Sequence, residues 1–201
     1  REYLVGSGVL IPRPETEGLV HLVMENAAPG STVLDIGTGS GCIAITLALG
    51  GYKTTGIDVS EEALRYARLN ARRLGASLTF MQEDIINNSK FNSQLSTFNC
   101  LVSNPPYVCE SEASTMDKNV LDHEPHHALF VPDDDPLLFY RAIADYGEEH
   151  LADGGWLFFE INSGFSEQVK QLLARKGYSD IKAEKDIYDN YRYVYARRKA
   201  L

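Results

Sequence analysis

The stretch SNPPY at 103–107 follows the apolar run FNCLV and places an amide, two prolines and an aromatic ring where a buried strand must end. Neither proline has a backbone N–H, so the sheet ladder cannot continue through them. The side-chain oxygen of Asn104 and the carbonyl of Pro105 can accept two hydrogens from one nitrogen, and the ring of Tyr107 can pack on a planar amide. The alternative interpretation is a rigid turn without a chemical role.

A second group of candidate residues ends three successive apolar runs. DIGTGSG (35–41) ends the first run, Asp58 the second and Asp84 the third. The glycines let the backbone turn tightly and approach a ligand, and a carboxylate about twenty residues beyond such a loop suits the two hydroxyls of a ribose. Asp84 can accept from an adenine amino group. Together these residues predict one adenosine-shaped site.

Each of these features also has a purely structural interpretation. The glycine-rich stretch alone can be only a turn, Asp58 can stabilise a helix N-terminus, and Asp84 can simply begin a loop over 85–97. The glycines do not form the dinucleotide-binding GxGxxG pattern, and no lysine follows at the position found in phosphate-cradling loops. A nucleoside triphosphate is therefore not expected.

Alternating strands and helices must position these residues. Continuous apolar strands that alternate with helices indicate a parallel sheet covered on both faces, with the ligand at the carboxyl ends of the strands where the strand order reverses. Two alternating segments at the end of the chain predict an antiparallel edge pair. The predicted strands are 31–37, 53–59, 77–84, 98–104, 155–161, 178–186 and 191–198, and the predicted helices are 42–50, 60–75, 135–151 and 164–176.

Helix-capping signals refine two of these helices. Ser60 is predicted to cap the second helix, which Gly75 ends. Asp135 is predicted to cap the third, with Pro136 at its first helical position. The segment between the fourth strand and that helix, 109–136, is expected to be a long acidic loop.

Composition restricts the classes of function. The 201 residues suit one α/β domain, and 19 Lys and Arg against 28 Asp and Glu give a net charge of −9, which argues against a broad phosphate-binding surface. Three cysteines without a CxxC motif are expected to be reduced thiols. Neither a transmembrane run nor a signal peptide is recognised, so we expect a cytoplasmic protein that binds no membrane and no nucleic acid stably.

The glycine loop and strand-end acids resemble those of the class I S-adenosylmethionine-dependent methyltransferases, over residues 30–198. The resemblance implies a Rossmann-like fold with a seven-stranded, mostly parallel sheet, an antiparallel edge strand and helices on both faces. It implies S-adenosylmethionine as cofactor and S-adenosylhomocysteine as product. The residues it places at the cofactor are Asp35, Gly37, Thr38, Gly39 and Gly41 beside the methionine part, Asp58 at the ribose, Asp84 at the adenine, and Asn104 beside the sulfonium.

Families with Asn-Pro-Pro-aromatic at this position methylate nitrogen atoms of planar amides or amines, which implies catalytic roles for Asn104, Pro105 and Tyr107. An amide nitrogen is a poor nucleophile because its lone pair is delocalised into the carbonyl. Its two N–H groups must therefore be held so that the nitrogen faces the methyl carbon in line with sulfur. The Pro-Pro pair fixes the direction of the Pro105 carbonyl.

IPRPETE (11–17), EPHHAL (124–129) and DNYRYVYARR (189–198) resemble the HemK/PrmC family, which methylates the glutamine of the Gly-Gly-Gln motif in peptide-chain release factors. The resemblance implies a release factor as partner. It implies that Arg13, Pro14 and Glu15 bind substrate together with Asn104, Pro105, Pro106 and Tyr107. The alternative for Pro14 and Glu15 is an ordinary helix start, which does not account for Arg13.

Domain organisation follows from the same resemblance. Residues 1–29 are expected to be a segment and first helix that cover cofactor and substrate, and 30–201 the methyltransferase domain. The resemblance implies a helical substrate-binding domain ahead of this point, and we expect the 201 residues not to include it. PDDDP (132–136) also replaces a glycine-containing turn.

Other functions stay open at this point. The target nitrogen can belong to another glutamine, as in a ribosomal protein, or to adenine in a nucleic acid, where Asn104 and Tyr107 would act on a flipped base. A cofactor-binding module without catalysis is a further alternative. His123 and His127 have the spacing of zinc ligands on a helix, but Pro125 between them disrupts a helix, so no metal is expected.

Overall fold

A computed structural model describes residues 1–87 and 97–200, apart from the side chain of His123. Most of the loop predicted over 85–97 lies outside the described residues. The strands are β1 (Thr32–Ile36), β2 (Lys53–Asp58), β3 (Thr79–Gln82), β4 (Phe98–Ser103), β5 (Val108–Cys109), β6 (Phe130–Val131), β7 (Leu151–Glu160), β8 (Ser179–Lys185) and β9 (Tyr191–Arg197). The helices are α1 (Glu15–Asn26), α2 (Cys42–Leu49), α3 (Glu61–Leu74), α4 (Lys118–His123), α5 (His126–Leu129), α6 (Leu138–His150) and α7 (Ser166–Arg175).

Seven strands form one sheet in the order β3-β2-β1-β4-β7-β9-β8, and β5 and β6 form a separate pair. The pairs from β3 to β7 are parallel, whereas β9 is antiparallel to both β7 and β8. The predicted antiparallel edge pair is therefore confirmed, with β8 at the edge and β9 next to it. The strand order reverses at β1, which lies between β2 and β4, so a ligand is expected at the carboxyl ends of these strands.

Two hydrophobic clusters cover the sheet, one on each face. Side chains of β4 and β7 alternate between them: Val102 and Phe158 pack with α1 and α2, whereas Leu101 and Phe159 pack with α6 and α7. This alternation follows from the two-residue period of a strand. The predicted fold class, a mostly parallel sheet with helices on both faces, is confirmed. No helix in residues 1–87 and 97–200 has the length and apolar character that crossing a bilayer requires.

The capping signals of α3 are confirmed. The Ser60 hydroxyl accepts a hydrogen bond from the Ala63 N–H at 3.2 Å, and Gly75 ends the helix in a left-handed conformation with φ of 72°. Acidic residues lie in its first turn and basic residues in its last, which suits the helix dipole. This cap fixes the start of α3 at Glu61, three residues after Asp58.

The prediction for α6 was wrong at its start. The helix begins at Leu138, not at Pro136, and Asp135 does not cap it. The Asp135 side chain instead pairs with Arg141. The Asp135 N–H donates to the Pro132 carbonyl, and the Leu138 N–H donates to the Asp135 carbonyl, so two turns follow each other here. Those turns use the residues that would have begun the helix. The expected loop over 109–136 was also wrong in part, because it contains β6, α4, α5 and a 3-10 helix at Glu110–Thr115.

Candidate active site

A cavity of about 410 Å³ lies at the carboxyl ends of β1, β2 and β4. Its volume is in the range of small-molecule binding sites. Its walls come from parts of the chain far apart in sequence: residues 8–10, 12–13 and 16, the stretch 36–40, Asp58 and Val59, residues 83–87, Asn104 to Pro106, His127 and Ala128, and the α6 side chains Phe139 and Ile143. The site predicted from strand ends is therefore one continuous space.

The glycine loop forms one wall of this cavity. Gly37 and Gly39 have φ angles of 72° and 55°, and a Cβ built on either would meet nothing within 4 Å, because both face open space. The Gly37 and Thr38 N–H groups donate to the Ile57 carbonyl at 2.9 Å, which fixes the loop to β2. The loop thus presents bare backbone to whatever fills the cavity.

Gly41 lies behind the loop and does not line the cavity. Its φ is 83°, and an added Cβ would lie 2.9 Å from Ile45 Cδ1 and 3.1 Å from Ala67 Cβ. Glycine is therefore needed where α2 packs against α3. The structure gives Gly41 a packing role rather than the direct cofactor contact that the sequence suggested.

Asp35 is also behind the loop, with no exposed surface. Its Oδ2 accepts hydrogen bonds from the Thr38 hydroxyl at 2.6 Å and from the Ala44 N–H at 3.1 Å. Its Oδ1 is buried and has no hydrogen-bond partner among the residues that the structure describes. Burial raises the pKa of this carboxyl to about 7, against the lowering effect of those hydrogen bonds. Asp35 therefore holds Thr38 and the start of α2 in place and lies outside the cavity wall.

Asp58 faces the cavity from the end of β2. Its Oδ2 accepts from the Gly39 N–H at 2.8 Å and its Oδ1 from the Ser60 N–H at 2.9 Å. Burial raises the pKa of Asp58, although these hydrogen bonds and the nearby His127 oppose the shift. Each carboxylate oxygen keeps a further lone pair with which it can accept from a ligand hydroxyl.

Asp84 lines the cavity where the chain leaves β3. It accepts hydrogen bonds from the Ile86 N–H at 2.8 Å and from the Asn87 side chain at 2.6 Å. Partial burial favours the neutral carboxyl, but these hydrogen bonds outweigh it and lower the pKa. Asp84 thus shapes the turn that brings Ile85 and Ile86 to the cavity wall.

The SNPPY stretch forms the cavity wall next to the glycine loop. Ser103 pairs with Ile36 in register and its hydroxyl donates to the Ile36 carbonyl at 2.7 Å, so the next residues of the two strands, Asn104 and Gly37, both reach the cavity. Pro105 and Pro106 continue this wall, and Pro105 is buried.

The side chain of Asn104 begins a hydrogen-bonded series that runs through Thr16, which also lines the cavity, to the buried Glu160. Asn104 Nδ2 donates to the Thr16 hydroxyl at 3.2 Å, and Thr16 donates to Glu160 Oε2 at 2.8 Å.

Tyr107 donates its hydroxyl hydrogen to Glu160 Oε1 at 3.2 Å. Burial, and then the charge of Glu160, raise the pKa of Tyr107. Its ring packs against the hydrophobic cluster that includes α6 and α7 and does not line the cavity. This position does not favour the predicted contact between the Tyr107 ring and a substrate amide.

Arg13 lines the cavity and pairs with Glu124, whose side chain is 3% exposed. This pair joins the segment ahead of α1 to the segment that carries His127. Pro14 is exposed and directly precedes α1, and Glu15 lies in its first turn, where its carbonyl accepts from the Tyr193 hydroxyl at 2.6 Å. Neither Pro14 nor Glu15 lines the cavity, so their positions fit the helix-start interpretation.

Comparison with known proteins identifies the family. A family model described as a methyltransferase domain matches residues 27–136. The release factor glutamine methyltransferase of Bacteroides thetaiotaomicron is 46% identical over an alignment of 200 residues that covers 98% of this chain and 71% of that protein. The chain belongs to the release factor glutamine methyltransferases. S-adenosylmethionine is the cofactor of this methyltransferase family.

Solved structures agree on the fold. A methyltransferase from Pyrococcus furiosus is 19% identical with a TM-score of 0.72, covering 99% of this chain and 89% of that one. A 16S rRNA methyltransferase of T. thermophilus, in complex with AdoMet and guanosine, is 16% identical with a TM-score of 0.68, covering 94% of this chain and 44% of that one. The Rossmann-like methyltransferase fold predicted from the sequence is therefore the fold that these solved structures share with this chain.

The residues around the cavity fit S-adenosylmethionine. The open space beside Gly37 and Gly39 admits a ligand against the backbone, and Asp58 offers carboxylate oxygens where ribose hydroxyls need acceptors. Ile57, Ile85 and Ile86 form an apolar wall suited to a flat adenine ring. The structure therefore provides an adenosine-shaped cavity that opens toward Asn104.

Three residues of this site were not singled out in the sequence. Thr16 lies inside the IPRPETE motif, but nothing in the motif says that its hydroxyl reaches Asn104. Glu160 ends the apolar strand β7, the same signal that marked Asp58, and was overlooked. His127 stood out only as a possible metal ligand. Within residues 1–87 and 97–200 no group of three or more His, Cys, Asp or Glu is arranged to hold a metal ion, and the three cysteines are free thiols.

Proposed function

We propose that this methyltransferase transfers a methyl group from S-adenosylmethionine to the side-chain amide nitrogen of the glutamine in the Gly-Gly-Gln motif of a peptide-chain release factor. The supporting observation is the register between β1 and β4. Because Ile36 pairs with Ser103, the glycine loop and Asn104 lie on adjacent walls of one cavity. The names of the relatives supply the class of protein substrate.

When bound, S-adenosylmethionine supplies an electrophilic methyl group attached to a positively charged sulfur. The chain has to hold the accepting nitrogen in line with it. Asn104 Oδ1 and the Pro105 carbonyl are the two acceptors, one for each N–H of the substrate amide. Holding both hydrogens directs the nitrogen lone pair toward the methyl carbon, and the fixed φ of proline limits how far the carbonyl can turn away.

A strong base next to the nitrogen is unnecessary in this scheme, since the proton can leave after the methyl group has been transferred. The nearest carboxylate in the series, Glu160, is separated from Asn104 by the Thr16 hydroxyl. Desolvation in the cavity strengthens the two acceptor interactions relative to water. Positioning is therefore the main contribution that we assign to Asn104 and Pro105.

We also propose that residues 1–29 cover the bound cofactor and substrate. The supporting observation is that Gly8, Val9, Leu10, Pro12 and Arg13 contribute to the cavity wall. The remainder, 30–201, would then form the methyltransferase domain itself. A cytoplasmic location stays part of this proposal, since the proposed partner acts in translation.

Transfer of labelled methyl groups to purified release factor tests the proposal. We expect label on the wild-type release factor and none when its Gly-Gly-Gln glutamine is replaced by alanine. A ribosomal protein and a duplex DNA are tested in parallel, and label on either one alone would assign a different substrate. Asn104→Ala should abolish turnover while S-adenosylmethionine affinity, measured calorimetrically, stays nearly unchanged. Loss of that affinity would contradict the role given to Asn104.

A further inference from the structure

Thr16 lines the cavity next to Asn104, Glu160 lies behind them, and neither has a role in the methyl transfer described above. Thr16 is 5% exposed and Glu160 is 1% exposed, and the two are 144 residues apart in the chain. Thr16 belongs to α1 and Glu160 ends β7, so their hydrogen bond joins two elements directly beneath the SNPPY wall. Buried polar groups are costly unless they are paired, which makes an unexplained pair of this kind informative.

Each hydrogen bond in this series has one possible donor and one possible acceptor when Glu160 is ionised. Burial raises the pKa of Glu160, against the lowering effect of Thr16, Tyr107 and Arg192. Once ionised, its carboxylate only accepts, so the single hydrogen of the Thr16 hydroxyl goes to Glu160 Oε2. Thr16 Oγ1 is then left with lone pairs only, and its second neighbour must donate to it. The only end of the Asn104 amide that can donate is Nδ2, which lies 3.2 Å away. Asn104 Oδ1 must therefore point the other way.

We propose that Thr16 and Glu160 are positioning residues that prevent the Asn104 amide from flipping, so that Oδ1 and not Nδ2 faces the methyl-accepting nitrogen. A flipped amide would present N–H to the N–H of the substrate and would repel it. This inference rests on the proposed function for the identity of the substrate, but the orientation of Asn104 follows from the hydrogen bonds alone.

Several groups surround Glu160 and keep it fixed. The Tyr107 hydroxyl donates to Oε1, so both carboxylate oxygens have a donor. The positive charge of Arg192 acts on Glu160, and Arg192 is itself held by Asp186 at 3.1 Å. Tyr107 thus contributes from behind the wall, which is a role its position outside the cavity allows. Removing the hydroxyl of Thr16 interrupts the only path from Glu160 to Asn104 seen in this series.

Two pairs of variants isolate that hydroxyl. Thr16→Val keeps the shape of threonine without its oxygen, and Thr16→Ser and Thr16→Ala differ from each other by the oxygen alone. We expect kcat to fall about tenfold in Thr16→Val relative to wild type, and in Thr16→Ala relative to Thr16→Ser, as the loss of one hydrogen bond of ordinary strength implies. The KM for release factor and the affinity for S-adenosylmethionine should change less than about twofold. Because burial raises the pKa of Glu160, the assays are run at about pH 8, where ionisation of this carboxyl is favoured.

Thr54→Val is the matched control. Thr54 is buried at 6% exposure in β2, and within residues 1–87 and 97–200 its hydroxyl makes one long hydrogen bond, to the Tyr52 carbonyl at 3.5 Å. This variant should keep the wild-type kcat. If Thr16→Val fails to fold, the Ser and Ala pair gives the result by itself. Equal kcat values for Thr16→Ser and Thr16→Ala would overturn the proposal, because then the oxygen has no effect.

A spectroscopic measurement separates this inference from the proposed function. The side-chain amide of Asn104 gives a pair of NMR signals that can be assigned by their disappearance in Asn104→Ala. We expect these signals to shift and their hydrogens to exchange faster in Thr16→Val but not in Thr54→Val. Unchanged Asn104 signals would refute the positioning role even if release factor is methylated. Changed signals with no methylation of release factor would support it and refute the substrate assignment instead.

Discussion

Asp35 offers a quantitative test of how the glycine loop is supported. Its carboxyl is fully buried, accepts two hydrogen bonds through Oδ2 and has an unpartnered Oδ1. Asn at this position can accept the same two hydrogen bonds through its single oxygen but can never ionise. The comparison of wild type with Asp35→Asn therefore isolates the free-energy cost of the buried negative charge.

The sign of the expected effect follows from the raised pKa. The unfolded chain loses the Asp35 proton near pH 3.8, whereas burial keeps it on the folded protein up to about pH 7. Between these values the folded state binds more protons, so wild-type stability decreases as pH rises through this window and then levels off. At about 1.4 kcal/mol per pH unit, the full effect is about 4 kcal/mol. Asp35→Asn lacks this decrease.

Urea unfolding without cofactor, followed by circular dichroism from about pH 4.5 to about pH 8.5, measures the difference. The free energy of unfolding of Asp35→Asn minus that of wild type should rise by about 3 kcal/mol over this range, because part of the full effect lies below about pH 4.5, and should stay constant above about pH 8. Asp186→Asn is the control. Burial alone would raise the pKa of Asp186, but hydrogen bonds from Asn190 and Arg192 outweigh it and lower the pKa. Its difference from wild type should therefore stay constant above about pH 5.

A difference for Asp35→Asn that does not change with pH would refute this reasoning. It would mean that the Asp35 carboxyl has the same charge as in the unfolded chain across the whole range, and hence that desolvation does not dominate at this position. A difference that falls with rising pH would show a lowered pKa and an unrecognised positive partner for Oδ1.

Three further variants test the cavity and its supports. Asp58→Ala should weaken S-adenosylmethionine binding by about 10- to 100-fold in calorimetry, as the loss of charge-assisted hydrogen bonds implies. Arg13→Ala leaves Glu124 buried without its cation and should cost about 3–5 kcal/mol in urea unfolding, so a loss below about 1 kcal/mol would show that water replaces the arginine. Gly41→Ala should lower the free energy of unfolding by about 2–4 kcal/mol, because the added Cβ overlaps its neighbours and the φ is left-handed. Gly30 has a similar φ but open space around it, so Gly30→Ala should lower the free energy of unfolding by only about 1–2 kcal/mol.

The sequence predicted the fold and the edge of the sheet at which the site lies. Apolar strands alternating with capped helices determine a parallel sheet, and parallel strands bring their carboxyl ends to one edge. Asp58, Asp84 and Asn104 were therefore expected together, and the cavity includes all three. The glycines indicated a close approach of backbone to ligand, which Gly37 and Gly39 provide.

The parts that could not be predicted depend on contacts between distant segments. Thr16 and Glu160 are each unremarkable locally, and only the packing of α1 against β7 brings them together. The start of α6 was missed because Asp135 prefers its ion pair with Arg141 to the helix cap. The position of Tyr107 outside the cavity likewise depends on Glu160, whose location no local pattern in the sequence specifies.

Three of the acidic residues at strand ends, Asp35, Asp58 and Glu160, are of two kinds, and the donors that reach them explain the difference. Asp35 and Glu160 are almost fully buried and receive hydrogen bonds from side-chain hydroxyls of Thr38, Thr16 and Tyr107. Asp58 receives only backbone N–H groups and faces the cavity. The side chain that carries a hydroxyl donor lies between the acid and the ligand. A backbone donor has no such side chain, so the carboxylate stays accessible from the cavity. The acids that hold other residues in place are thus those next to a hydroxyl, and the acid suited to bind the ribose is the one that only the backbone holds.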